Sequence, residues 1–149
     1  MDADFSIELG ADDAALEIPW NSADGKLQYL DLKRQPELLA SLPEGRERPE
    51  LWRFLATVNS AKSEFASAKC DAWLTGEQNA EDEVYGKALK MACYVDLFFT
   101  DARRYSFEEH ERLVRGWAER LRQRPEFAAS AEFIVRRCYF RAQDRADIT

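Results

Sequence analysis

The chain has 149 residues, with 21 basic and 28 acidic side chains, a formal charge of −7, and 46% apolar content that includes 18 aromatic rings. That is enough apolar surface for one core and too short a chain for two independent ones, so a single domain over 1–149 is expected. Six glycines and five prolines exclude a fibrous chain, no apolar run reaches the roughly 20 residues of a membrane span, and the acidic start Met1-Asp2-Ala3-Asp4 is unlike a signal peptide, which together predict a soluble cytoplasmic protein.

Residues 1–30 read as extended. Phe5, Ile7 and Leu9 alternate with polar neighbours, and Leu16, Ile18 and Trp20 do so again after Gly10-Ala11-Asp12-Asp13. Leu27 and Tyr29 follow the turn cluster Asn21-Ser22-Ala23-Asp24-Gly25, and the three segments predict an antiparallel meander. Pro-Glu followed by an apolar residue then recurs at Pro36, Pro49 and Pro125. Proline at the first helical position loses no hydrogen bond and the next glutamate suits the positive helix end, so these are three expected helix starts. The first helix is short and ends before Pro43-Glu44-Gly45. The second spans about 49–58, with Leu51, Leu55 and Val58 as its stripe and Asn59 as its cap.

From Ser63 the period is two: Ala66, Ala68, Cys70, Ala72 and Leu74 on one face, Phe65, Ser67, Lys69, Asp71 and Trp73 on the other. A loop over 75–79 and one helical turn over 80–85, opened by the solvated acidic cluster Glu81-Asp82-Glu83, lead to a second alternating strand over 89–99. Ser106-Phe107-Glu108-Glu109 is a capping box that opens a long amphipathic helix to about Arg124, with Phe107, His110, Leu113, Val114, Trp117 and Leu121 as its apolar stripe. Ala131 to Arg141 satisfies both strand and helix patterns and is read as a strand, and the chain from Gln143 as a polar tail.

These elements predict an α+β fold: an antiparallel sheet of about five to six strands (the N-terminal meander plus a β-β-α-β half), with one long amphipathic helix and two shorter helices packed on it. The small-residue face admits the long helix closely, which places Cys70, Cys93 and Cys138 beneath it. The opposite face then carries Lys69, Asp71 and Trp73, Tyr94, Asp96 and Phe98, and Arg137, Tyr139 and Arg141 from three adjacent strands. Mixed charges and rings are the chemistry of a ligand groove or partner surface, so Lys69, Asp71, Trp73, Tyr94, Asp96, Arg137 and Tyr139 are the candidate binding residues. Arg136 and Arg137 must point to opposite faces, and the covered one needs a carboxylate, with Asp71, Asp96 or Glu132 as nominees.

Other chemistry finds little support. Three widely spaced cysteines without a CxxC pair read as reduced thiols. His110, the sole histidine, sits on an apolar stripe and reads as a half-buried residue with one hydrogen bond, ahead of a nucleophile pair with Cys70 or Cys93. A zinc site from Cys70, Cys93, Cys138 and His110 lacks any close-spaced ligand pair. No phosphate-binding, dinucleotide, hydrolase-elbow or zinc-protease motif occurs, so no cofactor or metal is expected. Residues 1–102 hold 10 basic against 20 acidic side chains, and residues 103–145 hold 11 arginines against 7 acids. An acidic whole repels a phosphate backbone, which argues against nucleic acid. The preferred function is a non-catalytic interaction or structural protein, homodimeric or bound to another protein. The alternative is a small-molecule enzyme or ligand carrier, with Asp71 or Asp96 as acid/base and Arg137 holding an anion.

Overall fold

The structure, a computed structural model, describes residues 1–43, 47–76 and 89–141. Glu44-Gly45, the expected helical turn over 80–85 with its acidic cluster, and the tail from Gln143 lie outside the described residues. In chain order the elements are β1 (Asp2–Glu8), β2 (Leu16–Ile18), a 3-10 turn (Pro36–Ser41), α1 (Pro49–Val58), β3 (Phe65–Thr75), β4 (Lys90–Phe99), a second 3-10 turn (Ala102–Arg104), α2 (Phe107–Arg122), β5 (Ser130–Arg136) and β6 (Cys138–Phe140). The class is α+β. The described strands form three two-stranded sheets, two parallel and one antiparallel, in place of the expected antiparallel sheet of five to six. They belong to two compact units, one built from Met1–Tyr29 and the chain from Ser106 onward, the other from Leu30–Tyr105.

In the first unit, β1 pairs in parallel with β5, so that Ala3, Phe5 and Ile7 stand opposite Ala131, Phe133 and Val135. Strand β2 pairs in parallel with β6, Leu16 opposite Cys138 and Glu17 opposite Tyr139. The expected meander is therefore corrected. Alternation marks a strand and its faces but carries no information about its partner, and β1 finds its own more than 120 residues away. Parallel neighbours need a return path, and α2, which packs on both β1 and β5, supplies the helix of that return. The turn cluster closes only a bridge between Asn21 and Gln28, with Gly25 taking the left-handed φ of 71° that its turn requires.

The start of α2 is as the capping box predicts: the Ser106 hydroxyl accepts from the Glu109 N–H at 3.1 Å. Val114 and Ala118 are buried on its inner face with Ala3 and Val135. Trp117 lies 5.5 Å from Phe133, and the Arg115 guanidinium sits 4.8 Å above the Phe5 ring. Arg122 fastens the far end by donating to the Ala3 carbonyl at 2.6 Å. Pro125 opens a turn, not a helix, because β5 begins at Ser130 and leaves too little chain.

The second unit buries Leu32, Leu39, Leu51 and Leu55 as one cluster, against which Cys70, Ala72 and Val95 pack. The small-residue face of the β3–β4 hairpin thus receives the Pro36–Ser41 turn and α1, where the sequence reading placed the long helix. Leu51 and Leu55 are the buried members of the α1 stripe. At the end of α1, buried Asn59 donates to the Ser67 hydroxyl at 2.8 Å and accepts from the Ser67 N–H at 3.0 Å, tying the helix to the start of β3. Phe99, fully buried, stacks on Phe65 with ring centroids 4.8 Å apart and closes the base of the hairpin.

Candidate functional site

The antiparallel hairpin sets the register of the candidate face. Lys69 stands opposite Asp96, Asp71 opposite Tyr94, and Trp73 opposite Ala92. Directly opposed residues share a face, so Lys69, Asp71, Trp73, Tyr94 and Asp96 are brought together as the spacing implied. The Trp73 and Tyr94 rings meet edge to face, 6.3 Å apart at 65°, a diagonal contact across the two strands. The register sets Lys69 and Asp96, unlike charges, opposite each other on one face at the end nearer the core.

Strict alternation fails at one point. The pairing slips between Ser67 and Lys69, so Ala68 is an extra residue on β3 with none opposite it. Beyond this bulge the faces exchange: Ala66 stands opposite Phe98 and joins the Lys69 side, while Phe65 and Ser67 join the Cys70 side. One inserted residue inverts every earlier assignment on that strand.

Arg137 and Tyr139 take a different place. The segment that was to supply the third strand of the face pairs instead with β1 and β2. Arg137 donates to the Gly10 carbonyl beside the start of β2, and Tyr139 lies in β6 opposite Glu17. Arg136 is the exposed member of the pair and donates to Glu8 Oε2 at 2.7 Å across β1–β5, whereas the more covered Arg137 has a backbone carbonyl as its acceptor, so the expected carboxylate for the covered arginine, Asp71, Asp96 or Glu132, is corrected. Arg141 forms its ion pair with Glu17.

The cysteines are corrected as well. Cys70 packs beneath α1, Cys93 is exposed on the reverse of the hairpin opposite Ala72, and Cys138 pairs with Leu16 in β6. His110 is half-buried at the start of α2, its Nδ1 donating to the Ser106 carbonyl at 2.6 Å. Among the described residues no group of three or more His, Cys, Asp or Glu side chains could hold a metal ion.

The outer end of the hairpin carries a surface that the sequence reading assigned to the covered side. On the reverse face Leu74 stands opposite Met91, and both are more than half exposed, at 61% and 54%. Leu89, just outside β4, is equally open, and Trp73 on the front is 44% exposed. Lengths explain why. The 11 residues of β3 extend about 36 Å, whereas the 10 residues of α1 cover about 15 Å at most. A helix of that reach covers Cys70 and Ala72 and leaves Leu74 and Met91 beyond it. The missed signal was therefore available: an alternating strand more than twice as long as the helix that covers it. Comparison of the chain with protein-family models, curated proteins and solved structures finds no match.

Proposed function

We propose that this is a non-catalytic interaction protein whose contact surface is the outer half of the β3–β4 hairpin. The observation that carries the reading is the apolar exposure on both faces of that half, with Trp73 and Tyr94 in front and Leu74, Met91 and Cys93 behind. Scattered exposed leucines are ordinary, but a contiguous two-sided patch ringed by Lys69, Asp71 and Asp96 has the composition of a protein interface, an apolar centre with a polar rim. The catalytic alternative needed an arginine on the same sheet face to hold an anion, and the strand meant to bring Arg137 there pairs elsewhere.

The partner is a second copy or another protein, and the compartment we infer is the cytoplasm. Three free cysteines, one of them exposed, fit a reducing environment, and no helix among the described residues is long and apolar enough to cross a membrane. The test compares wild type with Trp73→Ser/Met91→Ser, both side chains being far from the buried cluster. Chemical cross-linking in the expressing cells and light scattering of the purified chains read out association. The proposal expects an associated wild type and a variant equally folded but alone. A variant that keeps every association of the wild type, or a wild type that associates with nothing, contradicts it.

A further inference from the structure

We propose that Arg122 and Asp4 form a clip that closes the outer edge of β1 to pairing with another strand, and so holds this edge of the first unit out of association.

The ladder shows which peptide groups lie on that edge. The Asp2 N–H donates to the Ala129 carbonyl at 3.0 Å, and the register runs unbroken from Asp2 opposite Ser130 to Glu8 opposite Arg136. In a parallel pair every second residue bonds to the neighbour. Asp2, Asp4, Ser6 and Glu8 therefore turn their N–H and C=O groups toward β5, and Ala3, Phe5 and Ile7 turn theirs away from it. Among the described residues β5 is the only strand beside β1. Such an edge is a template for a further strand unless something blunts it.

Arg122 and Asp4 supply the blunting. Ala3 is buried and Phe5 lies beneath Arg115, so these two side chains face α2, and alternation puts Asp4 on the far face. Yet Arg122, in the last turn of α2, donates through Nε to the Ala3 carbonyl at 2.6 Å and pairs through Nη2 with Asp4 Oδ1 at 3.2 Å. A side chain that starts on one face, bonds an edge carbonyl and meets a carboxylate from the other face passes around the edge. The same Asp4 Oδ1 accepts the Phe5 N–H at 2.8 Å. An acceptor and a donor that an incoming strand would use are both taken, and a guanidinium stands where its backbone would run. Both bonds are charge-assisted and stronger than the neutral ladder bonds that would replace them. Farther along, the Gly10 N–H donates to Asp13 Oδ2 at 2.6 Å and the Asp13 N–H to the Gly10 carbonyl at 3.2 Å, a turn that ends the edge. Between clip and turn, Ile7 is the one residue of β1 with both peptide groups facing outward and neither taken among the described residues.

The test uses the Trp73→Ser/Met91→Ser chain as parent, so that association through the hairpin does not enter, with and without Asp4→Ala/Arg122→Gln. The Asp4 side chain is 80% exposed and that of Arg122 49%, so the two changes leave the core of the unit in place. Light scattering and residue-resolved amide exchange are followed across a concentration series. With the clip present, the Ile7 amide exchanges at a rate independent of concentration. Without it, chains pair through their β1 edges, and Ile7 exchange slows about tenfold at the concentrated end, as for a site closed in about nine-tenths of the molecules. Adding Ile7→Pro returns the clipless chain to the mass of its parent, because the Ile7 N–H faces away from β5 and its loss spares the ladder. Asp4→Ala alone frees the Phe5 N–H and leaves Arg122 on Ala3; it gives the same changes at smaller size and decides the question if circular dichroism shows the double change to unfold the chain. A clipless chain that associates no more than its parent, or whose association survives Ile7→Pro, overturns the clip as an edge guard. Neither result bears on the hairpin reading, which the comparison of wild type with Trp73→Ser/Met91→Ser tests separately.

Discussion

Replacing Asn59 with leucine should loosen the base of the hairpin from the helix that covers it. The side chain is buried and makes three hydrogen bonds: Nδ2 to the Leu55 carbonyl at 2.9 Å, Nδ2 to the Ser67 hydroxyl at 2.8 Å, and Oδ1 from the Ser67 N–H at 3.0 Å. The first matters least, because the Leu55 carbonyl also accepts the Asn59 backbone N–H at 3.1 Å. The other two contribute about 1 kcal/mol each, and losing the acceptor of a buried N–H adds roughly 1–3 kcal/mol. Leucine gains about 1–2 kcal/mol by burying more apolar surface, so the net loss should be about 2–3 kcal/mol. Urea unfolding followed by circular dichroism measures it, and an unchanged slope would show that the midpoint reports stability alone. Ser67→Ala removes the hydroxyl and keeps the N–H bond, so it should cost only about 1 kcal/mol. The two changes share partners, and the double variant should lose less than the sum. A loss for Asn59→Leu below about 0.5 kcal/mol would refute the reasoning.

Two further predictions follow from neighbouring geometry. Lys33 Nζ donates to the carbonyls of Ser60, Ser63 and Phe65, bridging the loop between α1 and β3; Lys33→Met should cost about 2 kcal/mol and speed amide exchange across 60–65, with unchanged exchange counting against it. Asp101 is held down to about 2 by the side-chain hydrogen bonds from Arg103, with the Arg103 N–H adding to the effect. Its folded form is the stronger acid, so whatever stability it contributes is present above the ordinary carboxylate range and lost as pH falls toward 2. A carbon-detected NMR titration should show that low midpoint in the wild type and its return toward the usual range in Arg103→Gln.

What the sequence showed and what it hid divide along a physical line. Local signals were read correctly where every one agreed: Pro49 and the Leu51/Leu55 stripe mark α1 over Pro49–Val58, and Ser106 with Glu109 marks the start of α2. The same Pro-Glu signal yields only a 3-10 turn at Pro36 and a plain turn at Pro125, because intrinsic preference is a weak prior once the flanking chain is committed. Strand faces were legible on β4, where alternation is unbroken, and on β3 only beyond Ala68. Pairing was not legible. Nothing in Phe5-Ser6-Ile7 names Phe133-Ile134-Val135 as its neighbour, and loop closure grows costly so slowly that a partner 128 positions away is disfavoured by only about 2 kcal/mol relative to the next strand, which packing readily offsets. Once β5 and β6 paired with β1 and β2, the candidate face lost Arg137 and Tyr139 and became a two-stranded hairpin. The apolar end of that hairpin, assigned to a helix that packs elsewhere, became its most informative feature.

Amide hydrogen exchange across a dilution series tests the central claim most directly. If the outer half of the hairpin is the surface on which this chain associates, amides within 90–97 exchange more slowly as concentration rises, while those of β1, β5 and α2 hold constant. Exchange over 90–97 that is independent of concentration, or concentration-dependent protection that appears in other strands, would contradict it.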